Sequence, residues 1–238
     1  MSDEPLLGRI HYYSRLSFSS CCFLEAPGEM FYNLLIRKVV KMPRKKEYDR
    51  DKVLAKAMEV FWKKGFEGTS VQDLVDATRL NRFGMYEEFG SKKGLFYEAL
   101  DKYCEEVIGE VYRALEDDPQ DLSSISKFFE AVRDHMGEGK GPRGCFVANT
   151  AIEALLLGPR AMKRVEKCWD RLEASFEVCL KNSQVKGDIA PDVDIKTLAQ
   201  YLVGVTQGFA LVGRSGVRPD RLSSMAATTL EHLSSLVY

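Results

Sequence analysis

The segment from Arg82 to Glu87 carries side chains that suit contact with the edges of DNA bases. An arginine such as Arg82 can donate two hydrogen bonds to guanine, and Glu87 could accept one from the amino group of cytosine. The Phe83 ring could contact a thymine methyl group, while Gly84 leaves room for the backbone to approach a duplex closely. One good base contact contributes about 1–3 kcal/mol of discrimination. The segment is therefore predicted to read bases.

The residues that flank this segment suit the phosphate backbone. Lys92 and Lys93 lie in the first turn of a predicted helix, where the helix dipole disfavours cations. A phosphate bound at the same N-terminus would reverse that penalty, because backbone N–H groups would share the anion. Alternatively, the two lysines are solvated and tolerate a small cost. The predicted phosphate contacts are Thr69, Ser70, Tyr86 and Lys92.

Three helices are predicted to position these side chains. Apolar residues recur one and four apart over 50–64, and a second helix begins after an N-cap at Thr69 or Ser70. A short turn over 78–80 leads to a third helix over 81–89. Its buried stripe is predicted to be Leu80, Met85 and Phe89. Two short helices after a longer one are typical of a helix-turn-helix DNA-binding unit.

Residues 49 to 97 resemble the TetR family of bacterial regulators. The resemblance is carried by Ala55, Phe61, Gly65, Phe66, Thr69, Ala77, Asn81, Tyr86, Phe89, Ser91, Lys92 and Leu95. It implies an Ω-shaped homodimer with an N-terminal DNA-binding domain and a C-terminal helical domain that binds a small inducer. Asn81 is included among the predicted DNA-binding residues. Two residues depart from the family pattern. Arg79 stands where members usually have glycine in the turn, so the backbone there is either strained or of another turn type. Gly84 replaces a commoner serine or threonine.

The remainder of the chain keeps a helical rhythm and contains no alternating run typical of a strand. We therefore predict an all-α protein with about nine helices. An N-terminal three-helix helix-turn-helix domain is expected at 42–95, followed by a C-terminal helical ligand-binding and dimerisation domain at 96–238.

A second candidate site lies in the C-terminal part of the chain. The segment 144–153 looks like one shared by a subgroup of TetR regulators, and a helix there would place Cys145, Asn149 and Glu153 on one face. The predicted ligand-binding residues are Tyr103, Phe128, His135, Cys145, Asn149, Glu153 and Trp169, with Met136 beside them. Ordinary core packing is the alternative for each. A redox role for Cys145 would require a lowered thiol pKa, and we expect structural burial instead.

The last two predicted helices suit self-association into a homodimer. Small residues interrupt apolar ones in the first of them, which favours close contact between helices across a two-fold axis. The small residues are Ala199, Gly204, Gly208 and Ala210, amid Leu202, Val203, Val205, Phe209 and Leu211. The second helix would contribute Leu222, Met225, Ala226, Leu230 and Leu233. In a dimer, each subunit would read one half-site, with centres about 34 Å apart.

Residues 1–41 differ from the rest because no helical or strand period persists in them. The sequence that starts at Met42 reads like the beginning of a bacterial regulator, so we expect 1–41 to be an upstream extension or a disordered arm. A native but flexible tail is the alternative. Arg44 and Lys45, with Lys46, could bind DNA as a basic arm or could have no contact with it.

Composition excludes several classes of function. The 238 residues carry a net charge of −1, so any DNA-binding surface must be a local basic face. The six cysteines form no C-x-x-C pair, and three histidines add no zinc spacing, which predicts no metal, no cofactor and a reducing cytoplasm. No apolar run reaches the length of a membrane span, so no membrane partner is expected.

The predicted function is a ligand-responsive transcriptional regulator, most simply a repressor that binds a palindromic operator as a homodimer and is released by a small-molecule inducer. An activator of the same fold and a helical small-molecule-binding protein without DNA binding are the alternatives. Residues 139–144 match G-x-G-x-x-G, but no strand precedes them and Pro142 interrupts them, so an enzyme is not predicted. The inducer, the operator and the regulated genes stay open.

Overall fold

Three short helices begin the part of the chain that the structure describes. The computed structural model describes residues 48–137, 143–216 and 219–236. The three helices are α1 (Arg50–Lys64), α2 (Val71–Thr78) and α3 (Arg82–Phe89). Each has a polar N-cap whose side chain accepts backbone N–H bonds from the first turn; the caps are Asp49, Ser70 and Asn81. The local sequence therefore sets where each helix starts.

The structure decides between Thr69 and Ser70 as the cap of α2. Ser70 forms a capping box with Asp73, in which each side chain accepts a hydrogen bond from the other residue's backbone N–H. Thr69 is buried instead, and its hydroxyl donates to the Gly65 carbonyl at 2.6 Å. Gly65 is the C-cap of α1, with φ +74°.

Arg79 occupies the turn between α2 and α3 in the left-handed conformation, with φ 61° and ψ 11°. This conformation costs a non-glycine residue about 1–2 kcal/mol. The resemblance left two alternatives for the turn, and the backbone angles show that it is the strained one.

Replacing Arg79 with glycine should therefore raise the free energy of unfolding by about 0.5–1 kcal/mol. The gain is smaller than the relieved strain because glycine also loses more chain entropy on folding. Urea denaturation followed by circular dichroism measures the difference. A glycine variant that is less stable than the parent would contradict the prediction.

The three helices enclose a small apolar core that fixes α3. Leu80, Met85 and Phe89 are buried, which confirms the predicted stripe. An ion pair at the surface adds to this packing, because Arg50 of α1 contacts the carboxylates of Glu88 and Glu98. Packing on one side and ion pairing on the other orient α3 against α1 and the next helix.

The rest of the described chain is also helical. Its elements are α4 (Lys92–Tyr103), a π-helical stretch (Cys104–Ile108), α5 (Gly109–Glu116), α6 (Leu122–Gly137), α7 (Phe146–Ile152), α8 (Ala154–Leu157), α9 (Pro159–Lys186), α10 (Ile195–Ser215) and α11 (Pro219–Ser235). The π-helical stretch joins α4 to α5 as one rod, and α7 with α8 forms one interrupted rod. The described residues thus hold nine rods and no strand, which confirms the all-α prediction.

Aromatic rings form the centre of the second half of the protein. Phe128 and Phe129 of α6 pack on Phe176 of α9, with ring centroids 5.2 and 6.0 Å apart, and Phe129 also contacts Phe209 of α10 at 5.7 Å. These contacts hold α6, α9 and α10 together. They leave a cavity between this core and α4–α5, which is described below.

Some predictions fall outside the described ranges. The predicted extension over 1–41 and the predicted DNA-binding residues Arg44 and Lys45 all precede residue 48. Within the described ranges, no helix combines the length and the apolarity needed to cross a bilayer. In those same ranges, no cluster of His, Cys, Asp and Glu side chains could hold a metal ion.

Candidate nucleic-acid interface and ligand cavity

One side of α3 faces solvent with a set of large side chains. Arg82, Phe83, Tyr86 and Glu87 are all exposed, and Phe83 exposes 77% of its surface. An apolar ring this exposed on a short, well-packed helix is the kind of residue that a partner covers. The four predicted base and backbone contacts therefore lie together on one free face of a fixed helix.

Gly84 and Asn81 have structural reasons to be present besides any contact with DNA. A Cβ atom on Gly84 would lie 2.9 Å from Cδ1 of Leu80, so glycine lets α3 pack closely. The Asn81 side chain accepts a hydrogen bond from the Gly84 N–H at 2.8 Å. Asn81 is thus the cap of the recognition helix, and its exposed amide group keeps the capacity to donate.

The structure corrects one predicted phosphate contact. The Thr69 side chain is 1% exposed and its hydroxyl is bonded to Gly65, so it cannot reach a phosphate in this arrangement. Ser70 is exposed, but its hydroxyl donates to Asp73 and accepts from the Asp73 N–H. Capping explains why both residue types occur here, and sequence alone did not separate the two roles.

The N-terminus of α4 lies next to α3 and carries the predicted lysines. Ser91 caps this helix by accepting from the Gly94 N–H at 2.9 Å. The ammonium group of Lys92 lies 4.2 Å from the centroid of the Phe66 ring, a cation–π contact that holds it at the helix end. Lys93 differs, because its ammonium group donates to the Leu156 carbonyl at 3.1 Å. Lys92 is therefore the better placed of the two for a phosphate.

Replacing Lys92 with alanine should weaken binding to every duplex by a similar factor. The reason is that a phosphate contact carries no base information, and its loss should flatten the slope of log affinity against log salt by about 1 for each subunit bound. Fluorescence anisotropy over a series of KCl concentrations measures the slope. Lys93→Ala is the matched control, and a larger effect of that variant would contradict the assignment.

Arg79 is a further candidate that the sequence prediction treated only as a departure in the turn. It is exposed and directly precedes the α3 segment. A basic side chain held in a fixed turn beside a base-reading helix can contact the phosphate backbone. The sequence did hold a signal for this candidate, because Arg79 is an arginine at a turn position where the resemblance predicts glycine.

A cavity lies between α4–α5 and the helices α6, α9 and α10. Its empty space is about 520 Å³, counted with the part that is open to solvent. The lining is mostly apolar and aromatic. It comprises Tyr103, Ile108, Val111, Tyr112, Phe128, Val132, His135, Met136, Cys145, Val147, Trp169, Thr206, Gln207 and Ala210.

Five of the seven predicted ligand-binding residues line this cavity, together with Met136. They are Tyr103, Phe128, His135, Cys145 and Trp169. Asn149 and Glu153 do not line it, which corrects the prediction. Cys145 is the extended residue before α7, with φ −98° and ψ 130°, so the helical spacing from Cys145 to the other two does not apply.

Asn149 and Glu153 make structural contacts instead. The Asn149 amide donates to the Arg143 carbonyl at 2.9 Å. The Glu153 carboxylate accepts from the backbone N–H groups of Phe66 at 2.8 Å and Glu67 at 3.3 Å, in the loop between α1 and α2. Glu153 therefore ties the second half of the protein to the DNA-binding helices.

The polar groups around the cavity are few. Burial raises the pKa of the Cys145 thiol and raises that of the Tyr103 hydroxyl well above its usual value, so both groups are uncharged at neutral pH. The indole N–H of Trp169 is buried and has no hydrogen-bond acceptor among the described residues. The cavity thus favours an uncharged, mostly apolar molecule that brings an acceptor for this N–H group.

The sequence prediction missed the wall that α10 contributes. Thr206 and Gln207 line the cavity from that helix, and Ala210 completes this side. The available signal was two adjacent polar residues inside an otherwise apolar run over 201–212.

Trp62 connects this cavity to the DNA-binding helices. It belongs to α1, and its ring lies 4.9 Å from Tyr103 and 6.1 Å from His135, both of which line the cavity. Its indole N–H donates to the Gly144 carbonyl at 2.8 Å, next to Cys145. A change in the cavity wall would therefore reach α1 through direct contacts.

The last two helices expose only part of the set of residues predicted for dimerisation, including Gly204 and Leu211. Ala199, Leu202, Phe209 and Ala210 are buried within the chain, as are Leu222, Ala226 and Leu233. These residues pack inward because α10 and α11 cover the core, so they cannot form a contact surface. The apolar or small residues left on the surface of α10 are Tyr201, Gly204 and Leu211.

The sequence matches two models of known protein families. Residues 53–99 match the family described as "Bacterial regulatory proteins, tetR family", and residues 122–228 match "Tetracyclin repressor-like, C-terminal domain". The HTH-type transcriptional repressor ComR of Escherichia coli (strain K12) is 31% identical over 195 residues, which cover 82% of this chain and 93% of ComR. The chain belongs to the TetR family of transcriptional regulators.

Other TetR relatives agree in sequence and structure. The HTH-type regulator YezE of Bacillus subtilis (strain 168) is 30% identical over 81% of this chain and 100% of its own length. A cysteine-substituted form of the TetR family regulator CifR, complexed with 26-base-pair operator DNA, has a TM-score of 0.70 and 26% identity over 79% of this chain and 98% of CifR. The chain is thus a DNA-binding regulator.

Proposed function

We propose that this TetR regulator represses transcription, binds a palindromic operator as a homodimer, and leaves the operator when a small molecule fills its cavity. The observation that carries the proposal is the position of Trp62, which belongs to α1 and contacts two residues of the cavity wall. Repression is supported by the relatives ComR and DhaR, which are both transcriptional repressors. An activator would use the same surfaces.

The proposal assigns the two parts of the chain separate tasks. Residues 42–95 bind DNA, and residues 96–238 bind the ligand and the second subunit. The protein acts in the cytoplasm, where the operator is. It is a regulator and not an enzyme, as the family to which it belongs suggests.

The exposed stripe on α10 supports dimerisation. Tyr201 and Leu211 expose 51% and 59% of their surfaces, and a Cβ atom on the intervening Gly204 would meet nothing within 4 Å. A second copy of α10 could approach closely at this glycine, with the two apolar side chains on either side of it. The self-complementary arrangement would place two copies of α3 about 34 Å apart on one face of the DNA.

The ligand-driven step follows from the contacts of the cavity wall. A molecule that fills the cavity displaces Tyr103 or His135, and both touch Trp62. The displacement moves α1 and the start of the α4–α5 rod, so the two recognition helices no longer match adjacent grooves. Couplings of about 1–3 kcal/mol are typical of such systems and correspond to roughly 5- to 150-fold release.

The ligand class is tested with uncharged carbonyl compounds, since a carbonyl oxygen can accept from the Trp169 N–H. A panel of ketones and aldehydes should release the protein from its operator, whereas hydrocarbons of the same shape should do so at least about fivefold less well. Trp169→Phe should abolish this difference. Equal release by ketones and hydrocarbons with the parent protein would refute the role of the indole donor.

The dimer and the operator are tested with the full chain. Light scattering after size exclusion should give twice the mass of 26.9 kDa, and Leu211→Glu should shift it toward one subunit. The same variant should lose operator affinity, because each half-site would then be bound alone. A parent protein that is monomeric in the presence of its operator would refute the homodimer.

A further inference from the structure

Two cysteines that are distant in sequence lie side by side next to the cavity. Cys104 stands where α4 passes into the π-helical stretch, and Cys168 lies in α9. Their Sγ atoms are 2.8 Å apart, about 0.8 Å more than the disulfide bond length of roughly 2.05 Å. Both are free thiols. A small movement of either side chain would bring the two sulfur atoms to bonding distance.

The surroundings make the two thiols unequal. A hydrogen bond joins the two thiols. This bond and the nearby positive charges of Arg171 and Lys167 lower the pKa of the Cys168 thiol. The same hydrogen bond and partial burial raise the pKa of the Cys104 thiol. Cys168 is therefore the nucleophile of the pair and Cys104 the residue that resolves the first product.

Access and position suit a reaction with a small oxidant. Cys104 is partly exposed and Cys168 is 8% exposed, so a small molecule can reach the pair from one side. Their sequence neighbours Tyr103 and Trp169 both line the cavity. Cys145 also lines it, but burial raises the pKa of that thiol.

We propose that Cys104 and Cys168 form an oxidisable dithiol, which a hydroperoxide converts into an intramolecular disulfide, and that closing this bond weakens operator binding. The Cys168 thiolate attacks the peroxide, the O–O bond breaks, and the products are a sulfenic acid and an alcohol, which takes up the proton. Cys104 then loses its proton and attacks the sulfenic sulfur, and water leaves as the S–S bond forms. Two thiols and one hydroperoxide thus give one disulfide, one alcohol and one water.

The effect on DNA binding rests on the proposed function. The rod that contains Cys104 begins at α4, whose N-terminus lies against the recognition helix α3. Closing the bond ties the start of the π-helical stretch to α9, and a π-helical stretch is a point where a helix can change its register. Because Tyr103 precedes Cys104 and contacts Trp62, the change would reach α1 as well.

Tryptic mapping of the oxidised full chain tests the dithiol directly. Trypsin releases Cys104 in the peptide 103–113, Cys168 in 168–171, Cys145 in 144–160 and Cys179 in 172–181, so every pairing among these four cysteines has its own mass. One equivalent of tert-butyl hydroperoxide should join peptides 103–113 and 168–171, and dithiothreitol should separate them. Cys104→Ser should stop at a Cys168 sulfenic acid that dimedone traps. Cys179→Ser is the matched control and should give the parent's joined peptide.

The regulatory part is read from operator affinity before and after oxidation. The oxidised parent should bind its operator at least about fivefold more weakly, and dithiothreitol should restore the affinity. The operator affinity of Cys104→Ser should not change on oxidation. Absence of the joined peptide would overturn the dithiol, and a joined peptide with unchanged affinity would overturn its regulatory effect. Failure of the reduced protein to bind any operator would refute the proposed function instead, and the peptide masses would still decide the dithiol.

Discussion

Replacing Gly94 with alanine is expected to lower the free energy of unfolding by about 3 kcal/mol. Gly94 lies in the first turn of α4, and a Cβ atom there would be 2.1 Å from the Phe89 carbonyl oxygen. That oxygen belongs to the backbone at the end of α3, so it cannot move without moving the recognition helix. Operator affinity should fall together with stability. Urea denaturation and fluorescence anisotropy measure the two effects.

Gly109→Ala is the matched control for this prediction. Gly109 is also helical, at the start of α5, but a Cβ atom there would meet nothing within 4 Å. Alanine should therefore stabilise the protein by up to about 1 kcal/mol, because it has the higher helix propensity. Equal stability of the two alanine variants would show that the close approach of α4 to Phe89 is not a constraint.

Replacing Arg82 with alanine should reduce affinity for the operator by about 1–3 kcal/mol for each subunit bound, through the loss of a base contact. A dimer on two half-sites therefore loses about twice that amount. Arg82 is exposed on the free face of α3, and α3 itself is held by its buried residues Met85 and Phe89, so the variant should fold normally. Affinity for unrelated duplexes should change little.

Selection from a randomised duplex pool distinguishes the base contact from a general charge effect. With Arg82→Ala, one base position in each half-site should lose its preference while the others keep theirs. Arg160→Ala removes an exposed arginine that lies at the start of α9 and should leave the selected sequence unchanged. Unchanged preference at every position with Arg82→Ala would remove Arg82 from the base-reading residues.

The DNA-binding helices were predictable because their determinants are local. The caps at Asp49, Ser70 and Asn81 act within three residues, and the stripe of α3 follows from the period of a single helix. The choice between Thr69 and Ser70 was not predictable, since both can cap a helix. It depends on the burial of Thr69, which is a property of the folded protein.

The cavity was predictable only in part, because its wall comes from five separate segments of the chain. Apolar residues that face inward on α4, α6 and α9 were good candidates, and Trp169 and Phe128 do line the cavity. Glu153 was assigned by helical spacing from Cys145, but the helix begins after Cys145 and is interrupted at Glu153. The 3.6-residue period relates only residues that lie within the same helix.

The dimer surface shows the same limit. Small residues on α10 were predicted to face a second subunit, but Ala199 and Ala210 pack inside the protomer, and Gly204 remains on the surface. Sequence indicates that small residues permit close helix contact, but it does not say which neighbour uses it. The packing of α10 against its own core decides that question.

The central claim is that α3 reads operator DNA together with the α3 of a second subunit. Selecting bound duplexes from fragmented genomic DNA, with the full chain at moderate salt, tests this claim most directly. The account predicts enrichment of a sequence with two inverted half-sites whose centres are about 34 Å apart. It also predicts that Phe83→Asp, which places a negative charge on the exposed face of α3, abolishes this enrichment while the circular dichroism of the protein stays unchanged. Enrichment of no sequence over competitor DNA by the parent protein, with or without reducing agent, would contradict the account.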